Sequence, residues 1–240
     1  MKVDLHLHDN KYSSDSHVSI EEIIKEARIK GLDGIALTNH ESTDVRKEIE
    51  ELVQKYNFPI FPGVEYLTKD GDIVAFGIDE LPEEQMTAQE FIDYVAKAGG
   101  ACTAAHPYRT NNRGLEDKLN LVKGLTAIEG YNGSTSEYHN GLAVATANKL
   151  GIQVLGSSDA HVKEKVGVFA TLLPYRVNNV KELIEIIHEN LPESKVYLIS
   201  CIPCIEKIHG YQYKKQGLRS NDILRMVFEE YKRIIKYDKF

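Results

Sequence analysis

The sequence predicts an α/β fold, a single barrel-like domain of βα units, and three observations predict it. Short apolar runs alternate with longer amphipathic stretches along most of the chain. The length, 240 residues, is ordinary for one α/β barrel. Histidines and carboxylates recur just past the apolar runs, where a barrel gathers its strand ends.

The first run is KVDLHL, and a strand there sends alternate residues to one side. Asp4, His6 and His8 then share one face, while Val3, Leu5 and Leu7 take the other. SIEEIIKEARIKG reads as a helix, with Ile20, Ile23, Ile24 and Ala27 at helical spacing. Ser19 caps its start, with Glu22 three residues on, and Gly31 stops it. DGIALT is the next strand, and a helix lies within TDVRKEIEELVQKY. FPIFPGVEY and DIVAFGI are strands joined by LTKDG, a hairpin-like turn. A helix across TAQEFIDYVAKAGG leads to the strand ACTAAHP, and NLVKG closes another helix before TAIEGYN. The helix around YHNGLAVATANKLG leads to IQVLGSSDAH, and GVFATLL with the helix NVKELIEIIHEN finishes the body. These elements suffice for a closed or nearly closed barrel, and the hairpin makes it distorted rather than a regular eightfold one.

Residues 1–200 are read as the barrel domain and 201–240 as a C-terminal helical extension. From Ile205 onward there are nine Lys/Arg against five Asp/Glu, and NDILRMVFEEYKRIIKYDKF has the spacing of an amphipathic helix. That helix packs on the barrel in the plainer reading, and uses its basic residues on a nucleic acid or partner in the other. Net charge is −7, so no global basic footprint points to nucleic acid, although a cluster of metal-binding carboxylates would inflate the negative count. Cys102, Cys201 and Cys204 make no disulfide framework, and CIPC stands without a second CxxC or nearby ligands for zinc. No apolar run approaches the roughly 20 residues that span a bilayer, and the N-terminus does not resemble a signal peptide. A cytoplasmic location is the default expectation, with no membrane partner.

The rare polar residues carry the functional signal. His6 and His8 close the first strand, His40 follows DGIALTN, and Glu65 follows PIFPGV. His106 follows ACTAA, Asn132 follows TAIEGY, and Asp159 with His161 follows VLGSS. Each alone has a structural reading, such as a helix cap for SSDAH. Five of nine histidines on one rim point instead to a metal centre, and imidazole nitrogen with carboxylate oxygen suits Zn²⁺, Mn²⁺ or Fe²⁺. Asp15, seven positions after His8, lies in a loop long enough to fold back over that rim. Arg109, three residues after His106, is placed to fork onto phosphate oxygens or to make a surface ion pair. His17 and His139 are weaker candidates for the pocket mouth, and His188 and His209 stand outside the pattern.

The motifs DLHLH with SSDS, GLDGIALTNH, PGVE, AAHP, IEGYN and GSSDAH, in this order, resemble the polymerase and histidinol phosphatase (PHP) family. The resemblance implies a distorted (β/α)₇ TIM-like barrel, two or three divalent metal ions, and hydrolysis of phosphate esters. By the same resemblance His6 and His8 hold one metal with Glu65 and Asp159, and Glu65 bridges to a second that His106 binds. Asp15, His40 and His161 hold the third, and Asp4 orients a ligating imidazole through its other nitrogen. Two positions depart from the pattern. Asp72 stands where many members have His, so the second metal is held differently or lost; Asn39 stands in TNHE where TDHD is usual.

The implied chemistry is attack on phosphorus by a hydroxide bridging metals about 3.5–4 Å apart, with Glu65, Arg109 and His161 as catalytic candidates and Arg109 and Asn132 on the substrate. The leading expectation is a metal-dependent phosphoesterase for a small phosphorylated substrate, a nucleotide or other phosphomonoester. A 5′-to-3′ exonuclease on short oligonucleotides, a histidinol-phosphate phosphatase and a non-catalytic metal-binding scaffold are the alternatives. The sequence does not select an oligomeric state.

Overall fold

The computed structural model describes residues 1–189 and the backbone of a strand at Lys195–Leu198. The C-terminal extension, with Cys201, Cys204 and the amphipathic pattern after Asn221, lies outside the described residues.

The strands are β1 (Lys2–Asp4), β2 (Gly34–Leu37), β3 (Ile60–Leu67), β4 (Asp72–Phe76), β5 (Ala101–Ala104), β6 (Ala127–Asn132), β7 (Val154–Ser157), β8 (Phe169–Leu172) and β9 (Lys195–Leu198). They form one sheet in the order β7-β6-β5-β4-β3-β2-β1-β8-β9. β1 to β3 are mutually parallel, as are β5 to β7, and β4 runs antiparallel between the two sets. The sheet curls until β7 meets the chain beyond β1. Asp159 N donates to His6 O at 2.9 Å, His8 N donates to Ala160 O at 3.2 Å, and Leu7 bridges Ala160 in parallel. At the other end of that seam β8 is wedged in, antiparallel to β1, and the Thr171 hydroxyl exchanges bonds with Gly156 of β7. The result is the distorted α/β barrel the sequence predicts. The reversed β4 is its main irregularity, and it brings Asp72, at the start of β4, to the rim where the parallel strands end.

The helices are α1 (Ile20–Ile29), α2 (Ile49–Tyr56), α3 (Ala88–Lys97), α4 (Glu137–Leu150) and α5 (Val180–His188). Ser19 and Glu22 form the capping box read from the sequence, and Thr87 with Glu90 forms a second one on α3. The helix expected before β6 is only a 3₁₀ turn, Glu116–Asn120. Leu115 and Leu119 are buried at helical spacing, which is the pattern the sequence displays. The residues before them are spent crossing the rim, so a single turn is all that forms. β9 was not foreseen.

The inner face of each strand changes character along its length. β3 runs from Phe61 through Gly63 to Glu65, β4 from Phe76 through Val74 to Asp72, β6 from Ala127 to Glu129, and β7 from Leu155 to Ser157. At the base, Val3, Ala36, Phe61, Phe76, Ala127 and Leu155 pack in one cluster with Leu183, Ile184, Ile186 and Ile187 of α5. That helix closes the lower end of the barrel with a dry plug. Gly63 is required there, since a Cβ would lie 2.7 Å from a Phe76 ring carbon. The polar end of every inner face is thereby left for the rim.

Strand β1 departs from the expected alternation. It ends at Asp4, and the register breaks before His6. Val3 and Leu5 pack with the inner base cluster, whereas Leu7 packs outward with Ile23 and Ile35. Asp4 therefore does not share a face with the two histidines. Its carboxylate accepts from Ser158 N and Gly167 N, each at 2.9 Å, and touches no imidazole. The expectation that Asp4 orients a metal-binding histidine is thus overturned. Burial pushes its pKa up to about 6 despite those bonds.

Candidate metal centre

The break in β1 turns His6 and His8 onto the rim, where both are buried. Glu65 sits among them at the end of β3. Its Oε2 lies 3.3 Å from His6 Nε2, 3.3 Å from His8 Nε2 and 2.9 Å from His40 Nδ1. Its Oε1 lies 2.8 Å from His106 Nε2. One buried carboxylate thus meets four imidazoles from three chain segments. Asp159, past β7, places Oδ1 3.3 Å from His8 Nε2 and 3.7 Å from His6 Nε2. Asp15 folds back as its loop length allows, with Oδ2 3.2 Å from His40 Nε2 and 3.4 Å from His161 Nε2.

These donors fall into three adjoining groups: His6, His8, Glu65 and Asp159; Glu65, Asp72 and His106; and His8, His40 and His161. All nine residues read from the sequence as metal ligands are therefore brought together, with Asp15 closing the third group from the solvent side. The donor set suits a divalent ion that takes nitrogen and oxygen. Seven of its buried atoms, His6 Nε2, His8 Nε2, His40 Nδ1, Glu65 Oε2, Asp72 Oδ1, His106 Nδ1 and Asp159 Oδ1, have no aligned hydrogen bond. Buried polar atoms are rarely left so, and the residues that carry these fall within the three donor groups.

The electrostatics agree. Burial opposes charge on His6, yet the carboxylates of Glu65, Glu129 and Asp159 outweigh it and hold its pKa well above the usual range. Burial likewise opposes charge on Glu65 and Asp159, but neighbouring histidines keep both pKa values well below the carboxylate range. Burial lowers His8 to about 4, so its imidazole is neutral, as a ligand must be. Burial, reinforced by the charge of Glu65, raises Asp72 to about 6. So much buried negative charge calls for cations. His106 and Asp159 also adopt positive φ, 27° and 51°, a conformation that costs free energy and gathers at functional sites.

Sequence reasoning missed two residues here. Glu129, in the middle of β6, is fully buried and makes four contacts. Its Oε1 lies 3.0 Å from His6 Nδ1 and accepts from the Ser157 hydroxyl, while Oε2 accepts from His106 N at 2.7 Å and Asn132 Nδ2 at 2.8 Å. It therefore does for His6 what Asp4 was expected to do. The signal was present: a lone acid between Ile128 and Gly130 in an apolar strand. The other is Arg113, whose Nε donates to Asp72 Oδ2 at 2.6 Å.

Arg109 lies at the rim as expected. Its Nη2 donates to Asp159 Oδ2 and, at 2.9 Å, to Asn132 Oδ1, and its Nε donates to Thr135 Oγ1 at 3.2 Å. Asn132 is spent internally, since its amide also donates to Glu129 and Asp159. Asn39 bonds Asp9 and accepts from the Ser13 hydroxyl at 2.9 Å, which itself lies 3.4 Å from His8 Nδ1. A neutral amide at this position thus still supports the loop beneath the histidines. His17, His139 and His188 touch none of the metal-facing atoms through their side chains.

A family model described as PHP-associated matches residues 137–191, the segment from α4 through Asp159 and His161 to α5. A two-domain Bacteroides vulgatus protein containing a predicted PHP-like metal-dependent phosphoesterase has the same fold. The TM-score is 0.63 and the identity 20%, over 82% of this chain and 64% of that one. The PHP-associated match agrees with the resemblance that the motifs carry. An uncharacterized protein of Methanocaldococcus jannaschii is 29% identical over 142 residues, 55% of this chain and 82% of that relative. The fold is also shared with a lesion-specific endonuclease of Pyrococcus furiosus, with TM-score 0.59 and 17% identity over 81% of this chain and 57% of that one. Among the described residues, no helix is long and apolar enough to cross a membrane.

Proposed function

We propose that this protein is a PHP-family metal-dependent phosphoesterase that hydrolyses a small phosphorylated substrate, a nucleotide or other phosphomonoester. One observation carries the reading. Glu65 is shared between two adjoining donor groups, so that two divalent ions can be held side by side on one buried carboxylate. Such ions, when bound, neutralise charge developing on phosphoryl oxygens and supply a water acidic enough to attack at neutral pH. His6, His8, Glu65 and Asp159 hold the first, and Glu65, Asp72 and His106 the second. Asp15, His40 and His161 are the donors for a third. No serine or cysteine nucleophile is called for.

The chain's own residues do the rest. Glu129 fixes the ring of His6, and Asn132 with Thr135 orients Arg109 so that its remaining donors can fork onto phosphoryl oxygens. His161, about one-quarter exposed, is placed to hand a proton to the leaving group when the third group of donors holds no ion. The second reading is hydrolysis of short oligonucleotides. It is favoured by the endonuclease that shares the fold and by Tyr138, 71% exposed at the start of α4, which offers a base a stacking surface.

The test is turnover with Mn²⁺ on an aryl phosphate, nucleoside monophosphates, histidinol phosphate and 5′-phosphorylated oligonucleotides. Release of phosphate from a monoester, lost with chelator and in His8→Ala, is the expected result. Cleavage confined to the oligonucleotides would favour the second reading. A protein that binds the ions yet turns over nothing would contradict both.

A further inference from the structure

We propose that Arg113 binds the substrate's phosphoryl group, with Asp72 as its anchor. Asp72 then serves the metal centre through one oxygen and the substrate through the guanidinium that it holds. The proposal rests on the phosphoesterase reading, and it concerns a residue to which neither the motifs nor the family match gives a role.

Asp72 and Arg113 are joined twice. Arg113 Nε donates to Asp72 Oδ2 at 2.6 Å, and Asp72 N donates to Arg113 O at 2.7 Å. The backbone is built for this approach. Gly71 has φ +148°, and a Cβ on it would lie 2.7 Å from the Gly114 carbonyl carbon and Leu115 N. A Cβ on Gly114 would lie 2.3 Å from Pro107 O. Only glycine lets these segments touch, so the arginine is delivered to the rim by backbone packing rather than by a flexible surface loop.

The two oxygens of Asp72 differ. Oδ2 takes the arginine, while Oδ1 is buried with no hydrogen bond, and the carboxylate as a whole groups with Glu65 and His106. The arginine likewise has an engaged and a spare side. Among the described residues its two terminal nitrogens make no hydrogen bond, and they are not among the buried unsatisfied atoms, so they reach solvent. Its side chain is 32% exposed, and the Asp72 carboxylate that it grips belongs to the donor group with Glu65 and His106, which sets it beside the centre. An arginine that served only to neutralise Asp72 would have no need of open donors next to the ligands.

Arg109 supplies the matching half. It comes from the same loop, four residues earlier, and grips Asp159. His106 Nε2 lies 3.8 Å from Asp72 Oδ2 and 3.9 Å from Asp159 Oδ2, so each flanking carboxylate carries one arginine. A phosphoryl group over the centre would meet a guanidinium on either side, each already held and so ordered at little further entropic cost.

The test is titration calorimetry of inorganic phosphate into Mn²⁺-loaded protein, with metal content measured on the same samples. Arg113→Met is expected to weaken phosphate binding about 10–100-fold, the worth of a charge-assisted bond, with ions per chain unchanged. Arg113→Lys should recover part of the loss, and KM for an aryl phosphate should rise more than kcat falls. Unchanged phosphate affinity, or a loss that merely follows lost metal, would overturn the proposal, as would wild-type protein that binds no phosphate. Phosphate binding that depends on Arg113 in a protein that hydrolyses no ester would uphold the proposal while removing the phosphoesterase reading.

Discussion

Replacing Glu65 by Gln should abolish phosphate-ester hydrolysis, lowering the rate by about 1000-fold or more. Bound ions contribute several kcal/mol to such a reaction, and each 1.36 kcal/mol is a factor of ten. Among the described residues Glu65 is the one side chain that meets His6, His8, His40 and His106 together. An amide of the same shape carries no charge and cannot face four imidazoles with acceptors alone. The variant should also lose at least one bound ion, read by elemental analysis after dialysis against Mn²⁺. Turnover within tenfold of wild type would show that Glu65 does not join two ions.

The second large effect is expected from a residue that faces no ion. Glu129→Gln should weaken Mn²⁺ binding about 10–100-fold, the usual cost of removing the partner that orients a ligating histidine. Glu129 accepts from Ser157, His106 N and Asn132 and lies against His6 Nδ1, so all its neighbours at both oxygens can be donors. A glutamine must point its NH₂ at one of them and leave a buried clash of donors. Calorimetric titration with Mn²⁺ measures the loss, and an unchanged affinity would mean that the ring of His6 is fixed by other contacts.

The sequence made the rim legible because polarity there is anomalous. A histidine or acid just past an apolar strand has few structural reasons to exist, and several of them converge once the strands are rolled into a barrel. His40, Glu65, His106 and Asp159 are all of this kind, and β3, β4, β6 and β7 show the same passage from apolar base to polar rim. Asp72 was read only through the family resemblance, and the hairpin between β3 and β4 is what returns the start of β4 to the rim.

What stayed hidden depended on backbone events that no periodicity records. Alternation along KVDLHLH predicts one face for Asp4, His6 and His8, but the strand stops at Asp4 and the inward set shifts from odd to even positions. A one-residue irregularity reverses every side chain beyond it. Asp4 was thereby given the role that Glu129 holds. Arg113 was invisible for a related reason. Its position depends on Gly71 and Gly114 allowing two loops to touch, and an arginine in RTNNRG reads on its own as a solvated loop charge. The helix expected before β6 failed where burial at Leu115 and Leu119 imitated helical spacing over a single turn.

Whether the rim gathers several divalent ions is measured most directly by the number of ions bound per chain. Chelator-treated protein would be dialysed to equilibrium against Mn²⁺ and analysed by elemental emission. The three adjoining donor groups predict two or three ions per chain. One ion or none would show that the adjoining groups do not act together as a multinuclear centre.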